Sequence, residues 1–295
     1  MNSVNLISVI IVTYHSEKII YECINSLLKY NDVGDKLEII VIDNSPIDIY
    51  KRMSKKILND YEGKVKSFKS PGNIGYGRAN NLGAEISNGE ILLFLNPDAI
   101  FVMPIFTKIY ACFVNDKEVS TAGIQLICEN KIEQISYIFI KGYLSPLFGI
   151  LVKILNKLNY KFSNMVTSGS CFFVRKEIFS KVGGFSEKIF LYQEESYLAQ
   201  KIKNLSNNLK LVFLRDLKII HREKTEKMSD ILLKEHYKST LFYYNYFGYR
   251  IWITKLIYYI FFNLKKCILL LKNNNYELKY LKKEMKIFNS IFKNV

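Results

Sequence analysis

Three short polar clusters each follow an apolar run: Thr13-Tyr14-His15, Asp43-Asn44-Ser45 and Asn96-Pro97-Asp98. A carboxylate in the position of Asp98 is a hard oxygen ligand for Mg2+ or Mn2+. Taken alone, the same tripeptide suits a solvated turn or a helix N-cap equally well. Asp43 is open in the same way, between a carboxylate that binds a nucleotide base and an Asx-turn. The run NIGYGRANNLG over residues 73–83 offers more. Gly75 and Gly77 let backbone approach a ligand closely before a helix begins, and helix N-termini favour anions. Arg78 in the first helical turn opposes the macrodipole unless an anion lies between them, which points to a phosphate neighbour; the alternative is an ordinary surface arginine after a turn. The run lacks the Lys-Ser/Thr pair of a P-loop and does not match GxGxxG. Later in the chain, Glu194 and Glu195 are adjacent carboxylates and His221 ends an apolar run. By themselves the pair reads as surface charge and the histidine as a packed or surface residue.

The elements that must position these groups alternate. Residues 8–13 (SVIIVT), 37–42 (LEIIVI) and 91–95 (ILLFL) are continuous apolar runs, as expected for strands buried on both faces. Helices are predicted around 19–28, with Ser16 as its cap, around 49–61 and over 78–87, with a short strand near 65–68 and a loop over 71–77. Such alternation predicts a mostly parallel sheet covered on both faces, with ligands beyond the carboxyl ends of its strands. Strands are also expected at 120–128, 134–140, 168–174, 209–214 and 217–220, and helices from Lys176 and over 198–202. Residues 142–158 are unusually apolar and broken by Pro146 and Gly149.

The 295 residues carry a net charge of +15, with 49% hydrophobic and 14% aromatic residues, which excludes a disordered chain. Residues 1–5 are polar and uncharged, so no signal peptide is expected, and the five scattered cysteines read as reduced thiols of a cytoplasmic protein. From Arg222 onward there are 15 Lys and Arg against 6 Asp and Glu, a net of +9, mixed with Tyr, Phe, Ile and Leu. Residues 251–271 are apolar but interrupted by Lys255, Lys265 and Lys266, too charged to span a bilayer. This composition suits helices at an anionic membrane surface, or helices packed on the domain. Nucleic-acid binding would leave the apolar runs unexplained.

In order along the chain, SVIIVTYHS, IIVIDNS, NIGYGRANNLG, LFLNPDA, SCFFVRKEIFSKVGGFSEKIFLYQEE and the late His221 resemble family 2 glycosyltransferases of the GT-A fold, in particular the bacterial rhamnosyltransferase-like branch. The resemblance covers about residues 8–221. It implies an α/β GT-A domain, Rossmann-like with a mostly parallel sheet flanked by helices, over 1–225; the composition beyond it leads to the expectation of a basic amphipathic helical, membrane-facing extension over 226–295. It implies a donor pocket formed by Thr13, Tyr14, Asp43, Asn73, Gly75, Arg78, Asn81 and Asn96, with Asp43 facing the base. Asp98 matches the last acidic residue of the family's DxD element and His221 a histidine that completes the site of a divalent metal, Mn2+ or Mg2+; Asn96 stands where many members have the first Asp. Glu194-Glu195 matches the pair that supplies the catalytic base, with Glu195 at the base position. There the chain departs from the usual Glu-Asp-x-Asp: Glu195 is one methylene longer than Asp, and Tyr197 replaces a carboxylate. His15 stands where Asn is frequent. The implied activity is inverting transfer from a dTDP-rhamnose or UDP-hexose type donor to a saccharide acceptor on a polyisoprenoid diphosphate. The product would be O-antigen, capsule or exopolysaccharide, made peripherally on the cytoplasmic face of the membrane. A catalytically impaired, donor-binding scaffold of the same pathway is the alternative. Residues 142–158 and the tail are expected to face the acceptor.

Overall fold

The computed structural model describes residues 6–140, 142, 165–222 and 227–293. Strands β1 (Ile7–Thr13), β2 (Leu37–Asp43), β3 (Val65–Lys69) and β4 (Ile91–Leu95) alternate with helices α1 (Ile20–Lys29), α2 (Ile47–Tyr61) and α3 (Tyr76–Ile86). Then come β5 (Ala99–Phe101), α4 (Phe106–Asn115), β6 (Val119–Ile127), β7 (Tyr137–Phe139), β8 (Met165–Thr167) and β9 (Cys171–Arg175). Helices α5 (Lys176–Lys181) and α6 (Glu194–Leu205), strand β10 (Lys210–His221), and helices α7 (Asp230–Tyr246), α8 (Ile251–Leu271) and α9 (Asn275–Phe292) complete the chain.

Eight strands form one sheet in the order β3-β2-β1-β4-β9-β6-β10-β5. The first four run parallel, β9 is antiparallel to both neighbours, β6 and β10 are parallel, and β5 is antiparallel to β10. Alternation explains the unbroken apolar runs. Ile7, Val9 and Ile11 of β1 join one core with α1, α2 and α4, whereas Ile10 and Val12 join the other with α3, α5 and α6. Strands β2 and β4 divide in the same way, so every position in these strands after the partly buried Leu37 is buried on one side or the other.

Register then aligns the polar residues beyond the apolar runs. Thr13 pairs with Asp43, and Asp43 with Lys69, in a row along the carboxyl edge of three strands. His221 pairs with Ala99, which brings the last residue of β10 beside the turn carrying Asp98.

Several local expectations change. Ser16 does not cap α1: its hydroxyl is engaged with the Tyr14 backbone, and Ile19 is the cap residue, without a side-chain hydrogen bond. Helix α3 begins at Tyr76, two residues early, because Gly75 turns the chain at φ +91°. The two expected strands at 209–214 and 217–220 are one strand, β10, with a register shift between Leu214 and Lys218. The strands expected over 134–140 and 168–174 are shorter and shifted, to β7 and β9, with β8 pairing β7 in a separate two-stranded sheet. The 198–202 helix extends back to Glu194. Strand β5 and helix α4 were not anticipated. All five cysteines are free thiols. Of residues 142–158 only Gly142 is described, so that segment's orientation lies outside the described residues.

Helices α7, α8 and α9 bury a third core of Leu233, Tyr237, Tyr243, Tyr244, Tyr258 and Phe288 with their neighbours, and Ile189 and Tyr197 join it from the sheet-bearing part of the chain. The C-terminal helices are therefore packed onto α6, the helix that starts with Glu194 and Glu195. Among the described residues, no helix is long and apolar enough to cross a membrane.

Candidate functional site

At the edge of β1 and β2, Asp43 is fully buried. Its Oδ1 accepts from Thr13 Oγ1 at 2.9 Å, Ser45 N at 3.0 Å and Ser45 Oγ at 2.7 Å. Its Oδ2 has no hydrogen-bond partner among the described residues. Oδ1 thus makes an Asx-turn with Ser45, while Oδ2 is uncommitted. A buried carboxylate oxygen without a donor costs stability unless a ligand or water supplies one.

Tyr14 and Asn73 line a recess of about 380 Å3 here, together with Asn44, Ser45, Lys69 and Ser70. Asn44 ties the recess to the glycine loop, donating to Gly75 O at 3.1 Å and accepting from Ser70 Oγ at 2.7 Å. Lys69 and Ser70 were missed at the sequence level because the β3 run was ended at residue 68; the edge rule that picks out Asp43 applies equally to them. Arg78 is exposed in the first turn of α3, with no partner among the described residues. Asn81 faces the other way: its amide donates to Phe185 O at 2.9 Å and accepts from Phe185 N at 3.0 Å, clamping α3 to the turn after Gly183-Gly184.

Beyond β4, Asp98 Oδ1 is buried and has no hydrogen-bond partner among the described residues, and His221 Nε2 stands 3.6 Å from it. Gln134 fixes the histidine. Its Nε2 donates to His221 O at 2.8 Å, which turns its Oε1 toward His221 Nδ1 at 3.2 Å. Nδ1 therefore carries a proton, and in the neutral ring Nε2 presents its lone pair toward Asp98. A carboxylate oxygen and an imidazole nitrogen, with the second ring nitrogen held by an amide, form a donor set that fits a divalent cation. The protein supplies two such donors here; no group of three or more His, Cys, Asp or Glu able to hold a metal occurs among the described residues. A ligand's phosphate oxygens and water would complete the shell.

The acidic pair starts α6 after two successive non-glycine residues at positive φ, Tyr192 at 70° and Gln193 at 75°. Such a turn is held only by its surroundings. Ser239 Oγ of α7 donates to Leu191 O at 2.8 Å, and Gln193 Nε2 donates to Thr240 Oγ1 at 3.3 Å. The C-terminal extension thus braces the turn that aims Glu194 and Glu195.

Both carboxylates line one cleft of about 410 Å3, which Tyr76, Asn96, Gly169, Ser170, Met228 and His236 also border. The cleft wraps over the start of α6 and so reaches both carboxylates. Burial pushes both carboxyls above the usual carboxylate range, Glu194 well above it, and the neighbouring Glu195 raises Glu194 further. The Gly169 N–H opposes the rise at Glu195. Glu194 Oε1 is buried without a partner among the described residues. Tyr76 sends its hydroxyl to Gly169 O at 3.1 Å. Asn96, two residues before Asp98, joins the two halves: it lines this cleft, and its N–H donates to Ser170 O at 3.0 Å.

Tyr197 has a structural explanation. It is buried among Phe242, Tyr246 and Phe247 of the C-terminal helices, and its hydroxyl hydrogen-bonds with Tyr246 and Ser186. A carboxylate there would sit inside an aromatic cluster.

A model of glycosyl transferase family 2 matches residues 8–183. The chain is similar to the O-antigen biosynthesis protein RfbC of Myxococcus xanthus, 25% identical over 194 residues that cover 61% of this chain and 14% of that protein. It is also similar to the poly(ribitol-phosphate) beta-N-acetylglucosaminyltransferase TarS of Staphylococcus aureus, 33% identical over 91 residues that cover 31% of this chain and 16% of that one. The matches thus span only 14% and 16% of these two relatives. The structure of GalNAc-T7 with UDP, GalNAc and Mn2+ superposes with a TM-score of 0.61 at 18% identity, covering 80% of this chain and 47% of that one. The fold is that of the GT-A glycosyltransferases.

Proposed function

Because the chain belongs to glycosyl transferase family 2, we propose that it is an inverting glycosyltransferase of bacterial cell-surface polysaccharide synthesis. It would use a nucleotide-sugar donor of the dTDP-rhamnose or UDP-hexose type. The observation that carries this reading is Asn96, which borders the cleft of Glu194 and Glu195 while belonging to the turn of Asp98. Donor phosphates at Asp98 and an acceptor at Glu195 would meet there.

In this reading Thr13 and Ser45 orient Asp43, whose open Oδ2 accepts from the base. Tyr14, Asn73, Gly75 and Arg78 flank the nucleotide, with Arg78 offering its charge to phosphate, and Asn81 holds α3 in place. Asp98 and His221 would hold Mn2+ or Mg2+. The bound cation would neutralise the charge that builds on the departing diphosphate. Glu195 removes the proton of the acceptor hydroxyl as that oxygen bonds to the anomeric carbon and the nucleoside diphosphate leaves with the bonding pair. A carboxyl that burial raises above the usual carboxylate range suits this step. The acceptor would be a saccharide on a polyisoprenoid diphosphate, met at the cytoplasmic face, where the basic extension keeps the protein peripherally bound.

Nucleotide release from dTDP-, UDP- and GDP-sugars with Mn2+ and extracted lipid-linked acceptor tests the reading. One donor class should support turnover, and Glu195→Gln and Asp98→Ala should each lower it by about a hundredfold or more. Donor binding without turnover, unchanged by Glu195→Gln, would instead establish the scaffold.

A further inference from the structure

Helix α8 has two faces of different fate. Thr254, Tyr258 and Phe262 point inward and are buried against α7 and α9. The opposite face carries Trp252, Leu256, Tyr259, Leu264, Ile268 and Leu271, all exposed, with Trp252 at 62%, Tyr259 at 65% and Leu271 at 87%. Their spacing follows the helical repeat, so they form one broad apolar stripe roughly 28 Å long at about 1.5 Å per residue. A stripe of this length on an otherwise well-packed chain marks an interaction surface. Tyr259 also borders an apolar recess of about 410 Å3 between α8 and α9, lined by Phe262, Met285 and Phe288 and by Lys255 and Lys293.

Charge identifies the occupant. From Arg250 to the end the chain has ten Lys and Arg against two Glu, a net of +8. Lys266 and Lys272, beside the stripe, have no ion-pair partner among the described residues. A second copy laid on this face would bring two such charges together, whereas an anionic bilayer compensates them. Tryptophan and tyrosine beside lysine on one helix face suit the headgroup layer, and α8 is too interrupted by lysine to cross.

We infer that the outward face of α8, from Trp252 to Leu271, lies in the headgroup layer of an anionic membrane and is the chain's membrane-contact surface. This surface deepens the peripheral binding proposed above by naming the face that makes it, and it stands without the sugar-transfer step.

Trp252 is the only tryptophan of the chain, so its fluorescence reports this face alone. The full chain is titrated with phosphatidylcholine vesicles, with and without phosphatidylglycerol, and the emission wavelength and co-sedimentation are measured. Anionic vesicles should shift the emission to the blue and bind at least about tenfold more tightly than neutral ones, and added salt should weaken binding. Leu256→Glu with Leu264→Glu, both at exposed positions, should abolish shift and binding while circular dichroism and donor-stimulated nucleotide release in solution stay unchanged. Equal binding by the double variant, equal binding to neutral vesicles, or a dimer in solution that the double variant dissociates would each overturn the inference. A parent chain that binds anionic vesicles as expected yet releases no nucleotide from any donor would count against the enzyme reading and leave this one intact.

Discussion

The Glu195 carboxylate lies directly over the backbone of Gly169: a Cβ built at Gly169 would stand 1.7 Å from Glu195 Oε1. Glycine at 169 is therefore the space in which the proposed base sits. The atom in the way is the far end of a side chain, so Gly169→Ala should fold normally and displace Glu195 from the cleft. Turnover should fall roughly a hundredfold or more, as expected for a misplaced general base, with Tm within a few degrees of the parent. Retained turnover with a displaced carboxylate would show that Glu195 is not the base.

Because burial raises Glu195 above the usual carboxylate range, the proton-accepting form appears only as pH climbs past that range. kcat/KM should rise with pH through a midpoint higher than that of a free glutamate. The rise should be absent from the residual activity of Glu195→Gln. A profile flat from pH 5 to 8 would contradict this assignment of the base.

The parallel strands and their edge residues were legible because a strand buried on both faces is apolar at every position, and the first polar residue beyond it must lie at the edge. Helix α4 was not, because its start signal comes from elsewhere: Asp32 accepts from Phe106 N at 2.9 Å and Thr107 N at 3.2 Å across more than 70 residues. Gly169 was invisible for the same reason, since its need for no side chain arises from Glu195 in another element. Asp98 and His221 could be paired only through the family likeness; the register of β10 against β5 supplies the physical cause, and Gln134, which orients the histidine, follows only from the fold.

Glu194 offers a stability test of the same burial. Its carboxyl is raised well above the ordinary value in the folded chain, so folding favours its protonated form. That contribution is fully present below the unfolded value and is lost as pH rises through the folded one, so the wild-type side chain becomes a growing liability toward neutral and alkaline pH. Glu194→Gln, which keeps shape and removes the charge, should raise Tm at pH 8 by a few degrees and by much less at pH 4.5. An equal change at both pH values would place the effect in packing rather than in charge.

Gln134 touches His221 and stands outside the proposed donor set. Gln134→Leu should free the imidazole to adopt the other tautomer and weaken Mn2+ binding in the presence of nucleoside diphosphate by about 10- to 100-fold. Free Mn2+ followed by electron paramagnetic resonance measures this directly. Gln134→Glu, which keeps an acceptor toward Nδ1, should restore most of the affinity. A merely structural role would give the same Mn2+ affinity in both variants at matched stability.

At position 197, where the Glu-Asp-x-Asp pattern would place a carboxylate, this chain uses the side chain to fasten its C-terminal helices. Tyr197→Phe keeps the ring contacts with Phe242, Tyr246 and Phe247 and loses the hydroxyl's hydrogen bonds, so it should cost about 1 kcal/mol. Tyr197→Asp, which restores the family's usual residue, would bury an unpaired charge in the aromatic cluster and should cost about 3 kcal/mol or more. Because Ser239 and Thr240 of α7 also hold Leu191 and Gln193, loosening this cluster should slacken the turn before Glu194. Turnover should therefore fall in Tyr197→Asp even below its melting temperature, while donor binding at the recess of Tyr14, Asn44 and Asn73 is retained. Restored or increased turnover in that variant would mean that the carboxylate, not the anchor, is what position 197 contributes to activity.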